Sequence, residues 1–183
     1  MFWFLLALLG FSCLRLHTYY QPIPVFVQNI LGSLQRYYNF VILFTCLSLI
    51  GIAFFYNIPR SVVIWTPDPR LYMVTNVAMM LSCVFLVAVW HPSNIRRFFA
   101  NPMAMTLILW SLSHLLVNGD STSFLLFVTF FTVGSVESFL SSRTMTPDYI
   151  AWTNDIAVLV LAMCVYVFFW FSHQYYTGVA VLW

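Results

Sequence analysis

Six apolar runs dominate the sequence, and the segments between them hold most of its Pro, Arg and Asp residues. A bilayer core about 30 Å thick requires about 20 apolar residues in a helix that rises 1.5 Å per residue. Each run is close to that length. They cover residues 1–17, 37–56, 71–90, 103–118, 123–140 and 156–173. The pattern predicts an all-α polytopic integral membrane protein, with about six transmembrane helices in one bundle that forms a single domain over residues 1–183.

The scarcity of charge excludes several other classes of protein. Only 7 basic and 5 acidic residues occur among 183, and 62% of the chain is hydrophobic. Soluble domains need a mixed charged surface, which this chain cannot supply. Disordered, fibrous and nucleic-acid-binding classes are excluded on the same grounds. We expect membrane lipid and other membrane subunits as partners, and no nucleic acid.

The distribution of arginine predicts the orientation of the six spans, because cytoplasmic loops carry an excess of positive residues. Five arginines lie in or beside the loops after the first, third and fifth spans: Arg15, Arg36, Arg96, Arg97 and Arg143. The opposite side holds Arg60 and Arg70. This bias places the first group inside and both termini outside.

Two connecting segments have patterns of their own. Residues 25–35 place Val27, Ile30, Leu31 and Leu34 on one helical face, which predicts a short interfacial helix. Asn118, Gly119 and Asp120 follow the fourth run directly. Such residues favour a left-handed helix cap and a tight turn, so the fourth and fifth spans are predicted to form an antiparallel hairpin.

Ionisable side chains inside membrane spans are costly and are therefore candidates for functional sites. His114 lies four residues before the end of the fourth run, and His173 ends the sixth. The predicted orientation places both histidines on the outer side, where they could face each other. A neutral imidazole there can ligate a metal or heme iron, or it can hydrogen-bond to a neighbouring helix or to Asn118. The residues alone leave both interpretations open.

Glu137 is the only carboxylate inside an apolar run. Two roles are open to it: an ion pair with an arginine of the inner loops, or a proton relay. No second carboxylate stands nearby for acid and base catalysis, and no nucleophile or nucleotide-binding motif occurs. We therefore predict no catalytic residue.

One stretch resembles a known family. The sequence ANPMAMTLILWSLSHLLVNGDSTSFLLF, residues 100–127, is similar to the signature of NnrU-like membrane proteins, in which H-P-M precedes L-W-x-L-A-H-L-L-x-N-G-D. The similarity extends to VVIWTPDP, to WTNDIA and to the HQYYTGV near the end of the chain. The family includes 15-cis-zeta-carotene isomerases, which bind heme b through histidine.

The resemblance implies a heme b cofactor with His114 and His173 as possible axial ligands. It also shows two departures, because the positions of two other family histidines hold Ser12 and Asn101 here. A serine hydroxyl is a poor ligand for heme iron.

Three functions follow as hypotheses. The first is a structural or accessory subunit of a larger, respiratory-type complex, favoured because the framework is kept while motif histidines are lost. The second is a heme b protein of the isomerase or redox kind, and the third is a small transporter-like bundle. Enzymatic activity is not favoured, and if present it would be a heme-dependent isomerisation. We expect the inner membrane of a bacterium or organelle, a mitochondrion rather than a plastid.

Overall fold

The structure, a computed structural model, describes residues 1–17, 19, 32–56, 61–141 and 149–177. Seven helices lie within these ranges. They are α1 (Phe2–His17), α2 (Leu34–Phe55), α3 (Leu71–Trp90), α4 (Ile95–Phe98), α5 (Pro102–Val117), α6 (Ser121–Leu140) and α7 (Trp152–Thr177). The described residues contain no β-strand, only an isolated bridge, so the all-α prediction is confirmed.

The number of membrane spans is confirmed only in part. Four helical segments are long and apolar enough to cross a bilayer: Gln35–Phe55, Leu71–Trp90, Ser121–Leu140 and Trp152–Tyr175. Helices α1 and α5 are apolar but have 16 residues each, which corresponds to about 24 Å at 1.5 Å per residue. Most of the interfacial helix predicted at residues 25–35 lies outside the described residues.

The chain divides into two compact units, Met1–Val62 and Val63–Trp183. In the first unit, α1 packs against α2 at glycine positions. A Cβ on Gly51 would lie 3.4 Å from the Cβ of Ala7, and one on Gly10 would lie 3.2 Å from Ser48 Oγ. Small residues of this kind let membrane helices approach closely. At the end of α1, Nδ1 of His17 lies 2.7 Å from the hydroxyl of Tyr37.

In the second unit, α3 packs against α5 and α7, and α5 also packs against α6. Hydroxyl groups join α3 to α5, since Ser82 Oγ donates to the carbonyl of Thr106 at 3.0 Å and Thr75 Oγ1 donates to that of Ser113 at 3.3 Å. The antiparallel hairpin of α5 and α6 is confirmed. Gly134 on α6 lies so close to α5 that an added Cβ would be 3.0 Å from the carbonyl oxygen of Ala104. The predicted single bundle over residues 1–183 stays a prediction.

Candidate functional site

Helix α5 presents His114 in its last turn. The helix begins after Asn101, whose Oδ1 accepts a hydrogen bond from the backbone N–H of Ala104 at 3.0 Å, and Pro102 occupies the first helical position. It ends at Asn118, whose backbone N–H and side-chain Nδ2 both donate to the carbonyl of His114 at 2.9 Å. Asn118 therefore bonds to the main chain of His114, and not to its imidazole as one of the sequence interpretations allowed.

The imidazole of His114 is fixed by its own helix and by aromatic rings. Its Nδ1 lies 2.8 Å from the carbonyl oxygen of Trp110. Because a carbonyl only accepts hydrogen bonds, Nδ1 carries the proton, and in the neutral ring the lone pair is on Nε2. The ring stacks on Phe127 of α6 at 4.6 Å between centroids and lies 5.0 Å from the ring of Trp110. These contacts leave the histidine half-buried with a defined tautomer.

His173 approaches His114 from α7. Its Nδ1 lies 3.1 Å from the hydroxyl oxygen of Thr177, and that hydroxyl donates its single proton to the carbonyl of His173 at 2.7 Å. When the hydroxyl donates to this carbonyl, the nearer of the two acceptors, it accepts from Nδ1 and the lone pair of the ring is on Nε2. The two ring centroids are 6.5 Å apart, with 36° between the ring planes. The two rings therefore lie beside each other, as the sequence allowed, whereas their location on the outer side of the membrane stays a prediction.

The turn that follows His114 differs from its prediction. Asn118 has φ −118° and ψ 105°, an extended conformation, and Gly32 is the only described residue with positive φ. The left-handed cap is therefore wrong. The physical reason is a neighbouring segment: the backbone N–H groups of Ile64 and Trp65 both donate to the carbonyl of Gly119, at 2.7 and 3.1 Å, and this pairing keeps the turn extended.

Asp120 has a structural role at this turn. It caps the N-terminus of α6, with Oδ1 accepting from the backbone N–H groups of Thr122 and Ser123 at 3.1 and 3.0 Å. The hydroxyl of Ser123 donates to Oδ2. Such a cap satisfies donors that have no partner within the helix, and a negative charge at this end is favoured by the helix dipole.

Glu137 lies far along α6 from this turn and is fully buried. Its backbone carbonyl accepts a 2.6 Å hydrogen bond from the hydroxyl of Ser141. One of the arginines that could pair with it, Arg143, lies outside the described residues. Both the ion pair and the proton relay therefore stay predictions.

The two positions at which family histidines are replaced make local hydrogen bonds. Ser12 Oγ donates to the carbonyl of Leu8 at 2.8 Å within α1. Asn101, besides capping α5, donates from Nδ2 to Ser141 Oγ at 3.1 Å. Asn101 thus joins the start of α5 to the residue that follows α6, whereas Ser12 bonds only within its own helix.

Sequence reasoning missed three contributors to the site. Thr177 could have been found, because it lies four residues after His173 on the same helical stripe. Phe127 could not, since its contact with His114 depends on how α6 packs against α5. The hydrogen bonds from the N–H groups of Ile64 and Trp65 to Gly119 could not be found either, because no local sequence pattern indicates them.

The sequence matches a known protein family. The family model described as NnrU protein covers residues 4–181, nearly the whole chain. This chain belongs to the NnrU family. No curated protein and no solved structure matches it. In this NnrU protein, the stretch of residues 100–127 that carries the resemblance contains α5 with His114, the turn after it and the beginning of α6.

Proposed function

We propose that this NnrU protein is an integral membrane protein that holds heme b between His114 and His173. The observation that supports the proposal is the pairing of the two imidazoles at 6.5 Å, each with a hydrogen-bond partner for Nδ1 on its own helix. Histidines that bind metals commonly donate their second ring N–H to a carbonyl or another acceptor, which fixes the ring and directs the other nitrogen to the metal. Trp110 and Thr177 supply those acceptors here.

The chemistry of the donors favours heme over a metal ion held by protein alone. Within the described ranges, no group of three or more His, Cys, Asp or Glu side chains comes together. Two imidazoles suit heme, because the macrocycle supplies the remaining ligands and histidine is a common axial ligand. The two imidazoles would hold the group from two different helices, since their ring centroids lie 6.5 Å apart on α5 and α7.

When bound, heme would supply redox chemistry or the isomerisation that the zeta-carotene isomerases of the same family carry out. The protein's own residues would bind and orient the group. Phe127 and Trp110 would hold the His114 ring and exclude water from it, since both rings pack directly on the imidazole.

A reduced minus oxidised absorption spectrum, with iron quantified on the same detergent-purified sample, tests this function. We expect sharp reduced bands and about one iron per chain. His114→Ala should abolish or strongly shift them, and His173→Ala should change the ligation state. His91→Ala is the matched control, because Nδ1 of His91 lies near the carbonyl of Pro92, outside the histidine pair. A flat spectrum without iron in the wild type would refute the proposal.

Six membrane spans form the second part of the proposal. Helix α5 packs along α6 and connects to it through three residues, 118–120. If α6 crosses the bilayer, α5 must cross it in the opposite direction. Helix α5 packs on both α3 and α6, so fewer of its residues have to face lipid and a shorter helix can cross. Cysteines placed at Ala100 and Leu140, both exposed, lie before α5 and at the end of α6 and should be labelled from the same side of sealed inner-membrane vesicles. Labelling of the two from opposite sides would mean that α6 crosses without α5 and would contradict six spans.

A structural or accessory subunit in an inner-membrane complex is the second candidate function. The hydrogen bonds of Ser12 and Asn101 favour it, because both side chains bond to the protein itself where other members of the family carry histidine, and Asn101 links α5 to the end of α6. Purification in mild detergent distinguishes the two candidates. An accessory subunit should copurify with other membrane subunits in a fixed ratio and without heme, whereas a heme protein of the first kind should keep its spectrum when isolated alone.

A further inference from the structure

A cluster of hydrogen bonds joins the start of α7 to the segment after α3, and its three residues, Asn94, Ile150 and Asp155, are here called the amide clamp. The backbone N–H of Asn94 donates to Asp155 Oδ1 at 2.8 Å, and its Nδ2 donates to Asp155 Oδ2 at 2.7 Å. The same Nδ2 donates to the carbonyl of Ile150 at 2.7 Å, while Oδ1 of Asn94 accepts from the N–H of Ile150 at 3.0 Å. Four directional bonds therefore converge on one asparagine.

The amide clamp matches the chemistry of its central side chain. An asparagine amide has two N–H donors and one carbonyl acceptor, and here both donors and the acceptor are used. The two bonds to Asp155 are made to a carboxylate, and bonds of that kind are stronger than neutral ones. A substitution of either residue removes a donor or an acceptor that the other cannot replace.

The packing of α7 on α3 uses the small side chains of α7. Val158 and Ala162, both fully buried, lie against Cys83, Val84 and Ala88. Close packing of small residues favours one face of a helix, whereas apolar attraction by itself has no direction. The other flanks of α7 are open, with Phe168 and Phe171 66% and 71% exposed. The hydrogen bonds of the amide clamp add directional contacts at the start of this helix.

The register of α7 determines where His173 lies. Asp155 and His173 are 18 residues apart on one continuous helix, which corresponds to about 27 Å. A slip of one residue would move the His173 ring by about 1.5 Å along the axis and turn it by about 100°. Such a change would separate it from His114.

We propose that Asn94 and Asp155 are positioning residues, which hold His173 beside His114 from the opposite end of α7. This inference rests on the proposed function of the histidine pair. Asp155 belongs to the WTNDIA stretch. The inference gives this stretch a role in positioning His173, which it does not touch.

Crosslinking tests the inference without heme. Cysteines replace His114 and His173 in a chain whose four native cysteines are changed to alanine, and a short bis-maleimide reports their proximity. D155N should place an amide N–H against Asn94 Nδ2, and N94D should place two carboxylates together. We expect each to lower the crosslinking rate about tenfold, the effect of losing one hydrogen bond to a charged group.

The exchange variant N94D/D155N provides the decisive comparison. In this variant the amide at position 155 can donate from its nitrogen to the carboxylate at position 94. The bonds from the backbone N–H groups of residues 94 and 150 can also form again, so three of four bonds return. The bond to the carbonyl of Ile150 does not, because an oxygen of the carboxylate at position 94 then faces that carbonyl, as it does in N94D. We expect crosslinking to be faster than in N94D, where the two carboxylates also face each other, and slower than in the parent. Asp68→Asn, which removes a carboxylate that accepts from the N–H of Arg70, should leave the rate unchanged.

The outcomes separate this inference from the proposed function. Unchanged crosslinking in both single variants, or crosslinking in the exchange variant that is no faster than in N94D, overturns the positioning role. If a single variant fails to fold, recovery of both folding and crosslinking in N94D/D155N still decides the matter. In the histidine-containing protein, D155N should retain a heme signal from His114 but lose the signature of a second axial histidine. Absence of heme from the wild type refutes the proposed function. The crosslinking assay does not use heme, so its result still tests the positioning role.

Discussion

Gly119 is the residue at which the smallest substitution should have a large effect. A Cβ added there would lie 1.8 Å from the carbonyl oxygen of Trp65 and 2.8 Å from its carbonyl carbon. Ordinary van der Waals contact begins at 3.4 Å, so the two segments would have to separate by 3.4 − 1.8 = 1.6 Å. Both obstructing atoms belong to the backbone and cannot rotate away.

The cost of Gly119→Ala follows from the bonds that this separation breaks. The N–H groups of Ile64 and Trp65 donate to Gly119 O at 2.7 and 3.1 Å, and a displacement of that size takes both beyond hydrogen-bond distance. At about 0.5–1.5 kcal/mol for each bond, the variant should lose about 1–3 kcal/mol of stability. Gly119 has no positive φ, so the penalty is steric and does not come from backbone strain.

Unfolding in detergent micelles, followed by circular dichroism, measures this loss. Gly51→Ala is the matched control, because its Cβ would sit in ordinary contact with Ala7 at 3.4 Å and alanine favours a helix over glycine. We expect the control to be as stable as the wild type or more so. The double variant W65A/G119A should remain destabilised, since the clash is with the backbone of Trp65. Wild-type stability in Gly119→Ala would refute the close approach of these segments.

Two further changes test the α5–α6 hairpin. Asp120→Ala removes the cap of α6 and should lower the free energy of unfolding by about 0.5–2 kcal/mol, measured by the same method with exposed Asp68→Ala as control; an equal loss in the control would argue against a capping role. Gly134→Val adds bulk where a Cβ alone would meet Ala104, Leu107 and Ile108 at 3.0–3.1 Å, so overpacking should cost about 1–3 kcal/mol. Unaltered unfolding of that variant would mean that α5 and α6 are not in close contact at this point.

The apolar helices could be predicted from sequence, but their ends could not. Helix α2 begins at Leu34 and α7 extends over Trp152–Thr177, beyond the runs at 37–56 and 156–173. Hydropathy marks the part of a helix suited to lipid, whereas helical hydrogen bonding continues into polar residues until a cap ends it. At α2 that cap is Ser33, whose side chain accepts from the N–H of Arg36.

The candidate site shows the same division between local and long-range information. His114 and His173 stood out in the sequence because polar ionisable residues are rare in apolar runs. The acceptor for Nδ1 of each ring lies four residues away on its own helix, a spacing that sequence can give. The stacking of Phe127 on His114 joins two helices, and no local pattern encodes it.

The sequence by itself determined that this chain is helical, that it belongs in a membrane, that α5 and α6 form a hairpin, and that two histidines lie toward one side. These properties follow from the spacing of apolar residues and the rarity of charge, which act over a few turns of chain. Only the tertiary structure decided that the histidine rings lie 6.5 Å apart, that Gly119 pairs with residues 64 and 65, and that Asn94 bonds to Asp155 across 61 positions. Such contacts depend on which faces of the helices pack together, and that choice is made by the whole fold at once.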